Sequence, residues 1–453
     1  MAGTSLNGRS GVYLPPRPAA GGPDAFHRLQ SVAITLLIAV CTVFPLVRTT
    51  SLFAESITMD AYTEGSSLLQ LVFGSVFALA GWLLWMNRQV AVRNLRAINP
   101  FLLLILLWCL CSSLWSLYPV TTIKRSVQLL GLIMVGLAIA PPLGNMARFA
   151  NTVLASFTVL MVLCLLASLG MPGLGVDYVT GGSWRGITWH KNVLGMVCAF
   201  SLLLWLREFR HGQLGWKVCL GAGLFTVFML VMAKSTTSII VAGAGSFLYL
   251  FLARRYIAPR NMLILLLGST IATALLLHFF HAMQGRFPSW EELMGPAAAI
   301  FNKSTDLTGR TDIWELVLVQ VAAHPWQGAG YGAFWMGVGG PSQYIADFMG
   351  FVPLQAHNGY LDVLNELGIV GLLLLAGLVA VHARDLFRLM RIDRAEAALH
   401  WAFFIVILVS NISETILFRA IELQYVWLIF SSIMVSSRLR AHQAARATEA
   451  GAA

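Results

Sequence analysis

The chain is 453 residues long, 58% hydrophobic and only 11% charged, with a mean hydropathy of +0.75. Soluble domains carry about 25% charged residues, so a water-soluble fold is excluded. Strict apolar–polar alternation, the mark of an outer-membrane barrel, is missing, and the net charge of +10 follows the loops between apolar runs, which gives no sign of nucleic-acid binding.

Read from its start, residues 1–28 are rich in Gly and Pro with three arginines and no apolar face, which predicts a disordered tail. No small-residue cleavage site follows the first apolar run, so this is not a removable signal peptide. A helix needs roughly 20 apolar residues to cross the hydrocarbon core. On that measure about twelve spans are predicted, the first six near 31–47, 66–86, 100–117, 126–143, 149–170 and 187–206. Three more follow near 214–233, 236–253 and 261–281, and the last three near 361–381, 398–417 and 421–436. The expected fold is an all-α polytopic membrane protein. Helices one to nine occupy 29–281, a large extracytoplasmic loop with short helices occupies 282–356, helices ten to twelve occupy 357–437, and a basic tail runs over 438–453.

Charge predicts the orientation. One face of this layout collects 20 of the 30 Lys and Arg with 6 of the 20 acids, a net of +14; the opposite face is left with a net of −4. The positive-inside bias places both termini in the cytoplasm and the long loop outside. The six cysteines, Cys41, Cys109, Cys111, Cys164, Cys198 and Cys219, all fall in apolar runs without metal or redox spacing, and read as small apolar residues.

Basic residues that defy this bias stand at the outer ends of the spans: Lys124, Arg125, Arg185, Lys191, Lys234, Arg310 and Arg419. Snorkelling to lipid headgroups is the plain explanation for any one of them. Arg185 and Lys191 flank the start of the sixth span, however, and His357 and Asn358 the start of the tenth. Both helices would point partially positive N-termini at the outer face, which with arginines makes an anion site suited to phosphates. Arg310 begins a short amphipathic helix with Ile313, Leu316, Val317 and Val321 at helical spacing, ended by Pro325 and expected to cap a cavity. Gly328, Gly330 and Gly332 follow a helix with no strand before them, so they predict a tight turn and not a dinucleotide loop. No Walker motif and no Asp-x-Asp occurs. His278 and His281 have metal-like spacing but read as incidental members of an aromatic stretch, and His190 and His324 have no assigned role.

The segments Arg185-Gly-Ile with His190-Lys-Asn192, Lys234-Ser-Thr-Thr-Ser238, Gly309-Arg310-Thr-x-x-Trp314, His357-Asn-Gly-Tyr-Leu361 with Glu366-Leu-Gly-Ile, and Asn411-Ile-Ser-Glu414 with Arg419 resemble the O-antigen ligase and Wzy-type polysaccharide polymerase superfamily. The His-Lys-Asn and Gly-Arg-Thr wording is most similar to ExoQ-like exopolysaccharide polymerases; many ligases carry proline where Lys191 stands. The resemblance implies a GT-C-like glycosyltransferase at the outer face of the bacterial inner membrane. Its donor would be an undecaprenyl-diphosphate-linked oligosaccharide held among membrane lipid, with a flippase and a chain-length regulator as candidate partners. It further implies that Arg185 and Arg310 stabilise the leaving diphosphate without a metal or cofactor and that His357 takes the acceptor hydroxyl's proton. Lys191, Asn192, Lys234, Asn358, Glu414, Arg419, Lys124 and Arg125 would bind or position substrate. Polymerase is the leading expectation and ligase onto lipid A core the second. A lipid-linked oligosaccharide transporter is the third, weakened by nearly charge-free mid-span segments and no internal repeat.

Overall fold

The structure is a computed structural model and describes residues 25–48, 67–178, 180–254, 310–419 and 421–452, with His278 and His281. Counting helices of more than four residues, the first eight are α1 (Ala25–Val43), α2 (Ser67–Met86), α3 (Arg88–Leu95), α4 (Pro100–Cys111), α5 (Pro119–Ile139), α6 (Met146–Gly170), α7 (Lys191–His211) and α8 (Trp216–Met232). The others described are α9 (Thr236–Ala253), α10 (Arg310–Ala323), α11 (Gln343–Met349), α12 (Gly359–Leu389), α13 (Arg394–Ser410) and α14 (Leu423–Ala452). A small antiparallel hairpin, β1 (Val176–Asp177) with β2 (Ser183–Trp184), fills the α6–α7 connection. The chain is an all-α, multi-pass membrane protein.

The sequence marks several helix starts locally. Asn99, Asn145, Asn358 and Asp393 each accept a backbone N–H from the first turn that follows, as capping residues do. Pro119 opens α5 at a position where no N–H is needed. That start lies about two turns earlier than the predicted span at 126, so Lys124 and Arg125 sit inside the helix.

Eleven of the twelve predicted spans have a helix in place; the one at 261–281 lies almost wholly outside the described residues, as does 282–309 of the long loop. Among the described residues, seven helices are long and apolar enough to cross a membrane, or eight if the pair α3 and α4, bent by 91°, is one broken span. The expected twelve is not reached on this measure. α8 and α13 have only 17 residues each, and serines and arginines dilute α14, which continues the last span through the basic tail to Ala452. Residues 1–24 are outside the described part.

One core runs through the bundle. α7 packs on α8 and α9, α9 on α13, α2 on α5, α1 on α6, α12 on α4, and α14 on α5. At its centre Trp427 of α14 meets Phe149, Phe200 and Phe403 with ring centroids 4.9, 5.5 and 3.9 Å away, locking α6, α7 and α13 around it. A second, separate cluster of Ile313, Val317, Phe334, Trp335, Ile345 and Ala356 packs α10 and α11 over one end of the bundle. The helix expected from Arg310 is present, but its apolar residues are not confined to one face, since Leu318 and Val319 are exposed.

α12 is discontinuous. Gly368 has φ 67° and ψ −169°, outside the helical region. The groups freed there are met by the segment after α10: Ala329 and Gly330 donate to the carbonyls of Asn365 and Glu366 at 2.9 Å, and Ile369 donates to Pro325 O at 2.8 Å. Non-helical backbone survives at membrane depth only where protein satisfies it in this way. The three glycines of the predicted turn all have positive φ, and a Cβ on Gly328, Gly330 or Gly332 would strike Glu366, Ser116 or Arg125. They serve close approach to α12, a tighter role than a turn lying against the membrane surface.

Candidate active site

Three distant segments meet where α10, the start of α12 and the loop after α13 converge. Asn358 caps α12 by accepting from Tyr360 and Leu361 N–H at 3.1 and 3.2 Å. Just before it, His357 is held at φ 53°, a left-handed conformation that costs a non-glycine residue of order 1–3 kcal/mol. Gly359 donates to Asn411 O at 2.8 Å and lies so close that a Cβ would overlap the Asn411 side chain. Asn411 Oδ1 in turn accepts from Ile416 and Leu417 N–H, closing the loop that carries Glu414. The wording Asn-Gly in one motif and Asn-x-x-Glu in the other is thus a single joint between two helices.

The joint places Glu414 between two partners. Its Oε2 is 3.3 Å from His357 Nδ1, and its Oε1 is 3.5 Å from Arg310 Nη2. Arg310 also donates through Nη1 to Ser413 O at 2.9 Å, and Gln355 Nε2 stands 3.2 Å from His357 Nδ1. The three side chains of Arg310, Glu414 and His357 are 28%, 33% and 35% exposed, so they are reachable by a ligand while partly shielded from water. Trp314 is anchored to Ala356 O at 2.7 Å and fixes α10 over this corner.

A second group surrounds the hairpin. Arg185 donates through Nε to Leu174 O at 3.0 Å. His190 caps α7, its Nδ1 accepting from Asn192 N–H at 3.3 Å. Burial and the Lys191 ammonium hold the His190 pKa below its usual 6.5, against an opposing pull from Asp177 and Glu414. The Glu414 carboxylate is thus within electrostatic reach of His190 as well as in contact with Arg310 and His357. Lys234, at φ 49°, donates to Gly181 O at 2.8 Å, and Asn192 Oδ1 accepts from Ser235 at 3.0 Å. Asn192 and Asn358 thus have local structural work as helix-joining and capping groups.

Arg419 follows Phe418, a third left-handed non-glycine residue at φ 65°, whose carbonyl accepts from the buried Tyr331 hydroxyl at 2.9 Å. Its guanidinium reaches Leu354 O at 3.3 Å and Asp362 at 3.7 Å. Arg125 packs against Gly332 within electrostatic reach of Glu366 and Arg419, while Lys124 is exposed one residue earlier. Arg125 belongs to the surroundings of the α12 break. His324 is exposed at the end of α10. Among the described residues no group of three or more His, Cys, Asp or Glu is placed to hold a metal.

Sequence reading missed Gln355, Asp362 and Thr415. The signal for Asp362 was present: an acid within an apolar helix is expensive and points to function or a partner. Gln355 and Thr415 are common polar residues in loops and carry no such mark.

Beside the hairpin, an open apolar groove of about 440 Å³ runs between α1 and α6, lined by Val40, Val43, Ala155, Val159 and Leu163. It ends at Val47 and Ile187, where Arg48 N–H donates to Ile187 O at 2.9 Å, two residues from Arg185.

Residues 220–376 match the family model described as O-antigen ligase. The chain resembles the O-antigen ligase superfamily. It is also 26% identical over 300 residues to the exopolysaccharide production protein ExoQ of Rhizobium meliloti (strain 1021), a match covering 62% of this chain and 63% of that protein. The aligned part is therefore just under two thirds of the relative's length. The O-antigen ligase match takes in Lys234, Arg310 and His357 and stops short of Glu414 and Arg419, which the geometry joins to it.

Proposed function

We propose that the chain is a membrane glycosyltransferase that polymerises exopolysaccharide, joining oligosaccharide repeat units carried on undecaprenyl diphosphate at the outer face of the bacterial inner membrane. The observation that carries this reading is the Arg310–Glu414–His357 constellation, with Glu414 also within electrostatic reach of His190 beside the Arg185 hairpin. In the tautomer whose Nδ1–H is donated to Glu414, His357 keeps a lone pair on Nε2, the arrangement of an oriented general base. An acceptor sugar hydroxyl gives its proton to Nε2 as its oxygen bonds to the anomeric carbon. The bond from that carbon to the diphosphate breaks, and the departing lipid diphosphate carries the electron pair. In this reading Arg310 and Arg185 meet that growing charge, so the step draws on the chain's own guanidinium groups. The apolar groove ending near Arg185 suits a polyisoprenoid chain, which supports a lipid-linked donor.

The likeness to ExoQ favours polymerase, whereas the family model's description favours ligase, with the glycan passed to lipid A core. The active-site chemistry is common to both; the acceptor differs. Gene deletion followed by sizing of secreted and lipid-linked glycans separates them. Loss of high-mass exopolysaccharide, with survivors no longer than one repeat, is expected for the polymerase. Full-length polymer stranded on undecaprenyl diphosphate beside unmodified lipid A core would mean ligase. In the complemented strain, His357→Ala and Arg310→Ala are expected to abolish product with membrane insertion intact, and normal product from either removes that residue from the mechanism.

A further inference from the structure

Asp362 lies in the first turn of α12 and is 3% exposed. A buried carboxylate is tolerated only when its oxygens are well paired, and four donors from different segments converge on this one. Oδ1 accepts from Trp335 Nε1 at 2.8 Å. Oδ2 accepts from the Ala356 N–H at 3.1 Å and from the Thr415 hydroxyl, with Arg419 Nη2 3.7 Å away.

The two hydrogen bonds to Oδ2 have a particular consequence. Ala356 is the residue before His357, and Thr415 is the residue after Glu414. A single oxygen atom therefore holds one backbone neighbour of each member of the His357–Glu414 pair. The bond to the Ala356 amide pins the Gln355–Ala356 peptide, one residue before the left-handed His357, and the bond to the Thr415 hydroxyl pins the residue that follows Glu414. The Trp335 bond ties the same carboxylate to the capping cluster over the site. None of these contacts is made by Arg310, His357 or Glu414 themselves.

We propose that Asp362 is the positioning residue that sets the spacing of His357 and Glu414 and orients Arg419 beside them. The proposal rests on the reading of His357 as general base. In an oriented pair, a shift on the order of 1 Å can cost about 100-fold in rate, so the effect should fall on turnover and not on donor binding.

The test uses full-length protein in proteoliposomes with a lipid-diphosphate-linked repeat unit. Asp362→Asn keeps the side chain's size and one acceptor oxygen while removing the charge and the second acceptor. It is expected to lower kcat at least about tenfold with donor KM within about twofold of wild type. Thr415→Val should give a similar loss, Thr415→Ser should restore turnover, and Asp362→Asn with Thr415→Val should lose no more than the weaker single variant. Wild-type kcat in Asp362→Asn overturns the proposal. So do losses that multiply in the double variant, or a Thr415→Ser enzyme as slow as Thr415→Val. Where Asp362→Asn fails to insert, the Thr415 pair decides alone. The two readings fail separately: an active His357→Ala sinks the base assignment and the positioning role with it. An inactive His357→Ala beside an active Asp362→Asn sinks the positioning role only.

Discussion

His190 shows how a single residue couples local structure to solution conditions. Its ring caps α7 only while Nδ1 has a free lone pair to accept the Asn192 N–H, and burial with the neighbouring Lys191 charge lowers its pKa below 6.5. A folded-state pKa below the unfolded one means that folding favours the neutral ring. The contribution is complete above the unfolded value and disappears as pH falls through the folded one. Lowering the pH from about 7.5 to about 5 should therefore reduce the melting temperature in detergent. His190→Asn, which caps without titrating, should remove that component, and His190→Ala should cost roughly 1 kcal/mol at neutral pH. Superimposable pH profiles for wild type and His190→Asn would contradict the cap's role. Arg310 allows a second residue-scale test. It uses Nη1 for the Ser413 carbonyl and Nη2 for Glu414, a two-pronged grip that lysine cannot copy. Arg310→Lys should keep the protein inserted and slow initial rates by roughly tenfold or more; a wild-type rate would show that charge alone suffices.

At the scale of elements, the broken α12 joins the fold to the site. Its first half carries Asn358, Asp362 and Glu366, and the segment 325–332 threads beside the break at Gly368. Gly368 is at φ 67°, and a Cβ there would overlap the Trp326 carbonyl; Gly328 at φ 70° meets Glu366 in the same way. A left-handed L-residue costs about 1–2 kcal/mol before any clash. Gly368→Ala and Gly328→Ala should each lower the melting temperature by several degrees, whereas Gly221→Ala, in open space on α8, should not. Equal melting in all three would mean that the break is not held by this close packing. The sequence displays the glycines plainly but not their partner, because Gly368 sits in an apolar run that reads as one continuous span. Helix positions were legible from run length, capping residues and prolines. The meeting of Asn411 with Gly359, and of Asp362 with Thr415, was not, since it depends on residues about 50 positions apart choosing each other.

For the whole molecule, charge bears on which way the site faces, and the structure gathers several of the counted arginines at one end of their helices. Charge counting leaves −4 on the face assigned to Arg185, Arg310, His357 and Glu414 and +14 on the other. In the structure the two ends of α12 divide in the same manner. One end opens on the Asn358 cap and the Arg310–Glu414–His357 cluster, while the far end carries Arg384 and Arg388 paired with Asp385. α7 runs likewise from the His190 cap to Arg207, which donates to Glu396 of α13 at 3.1 Å and to Asn151 of α6. The positive-inside bias predicts that these Arg-bearing ends face the cytoplasm. Reporter fusions follow from that. A fluorescent protein at the C-terminus should glow, and alkaline phosphatase inserted between Arg391 and Ile392 should be inactive. The same phosphatase inserted between Gly339 and Gly340, on the capping cluster's side, should be active. The reverse pattern would turn Arg310, Glu414 and His357 toward the cytoplasm. A donor delivered to the outer leaflet would then have no access to them, so orientation is the measurement on which the lipid-linked polymerase reading most directly depends.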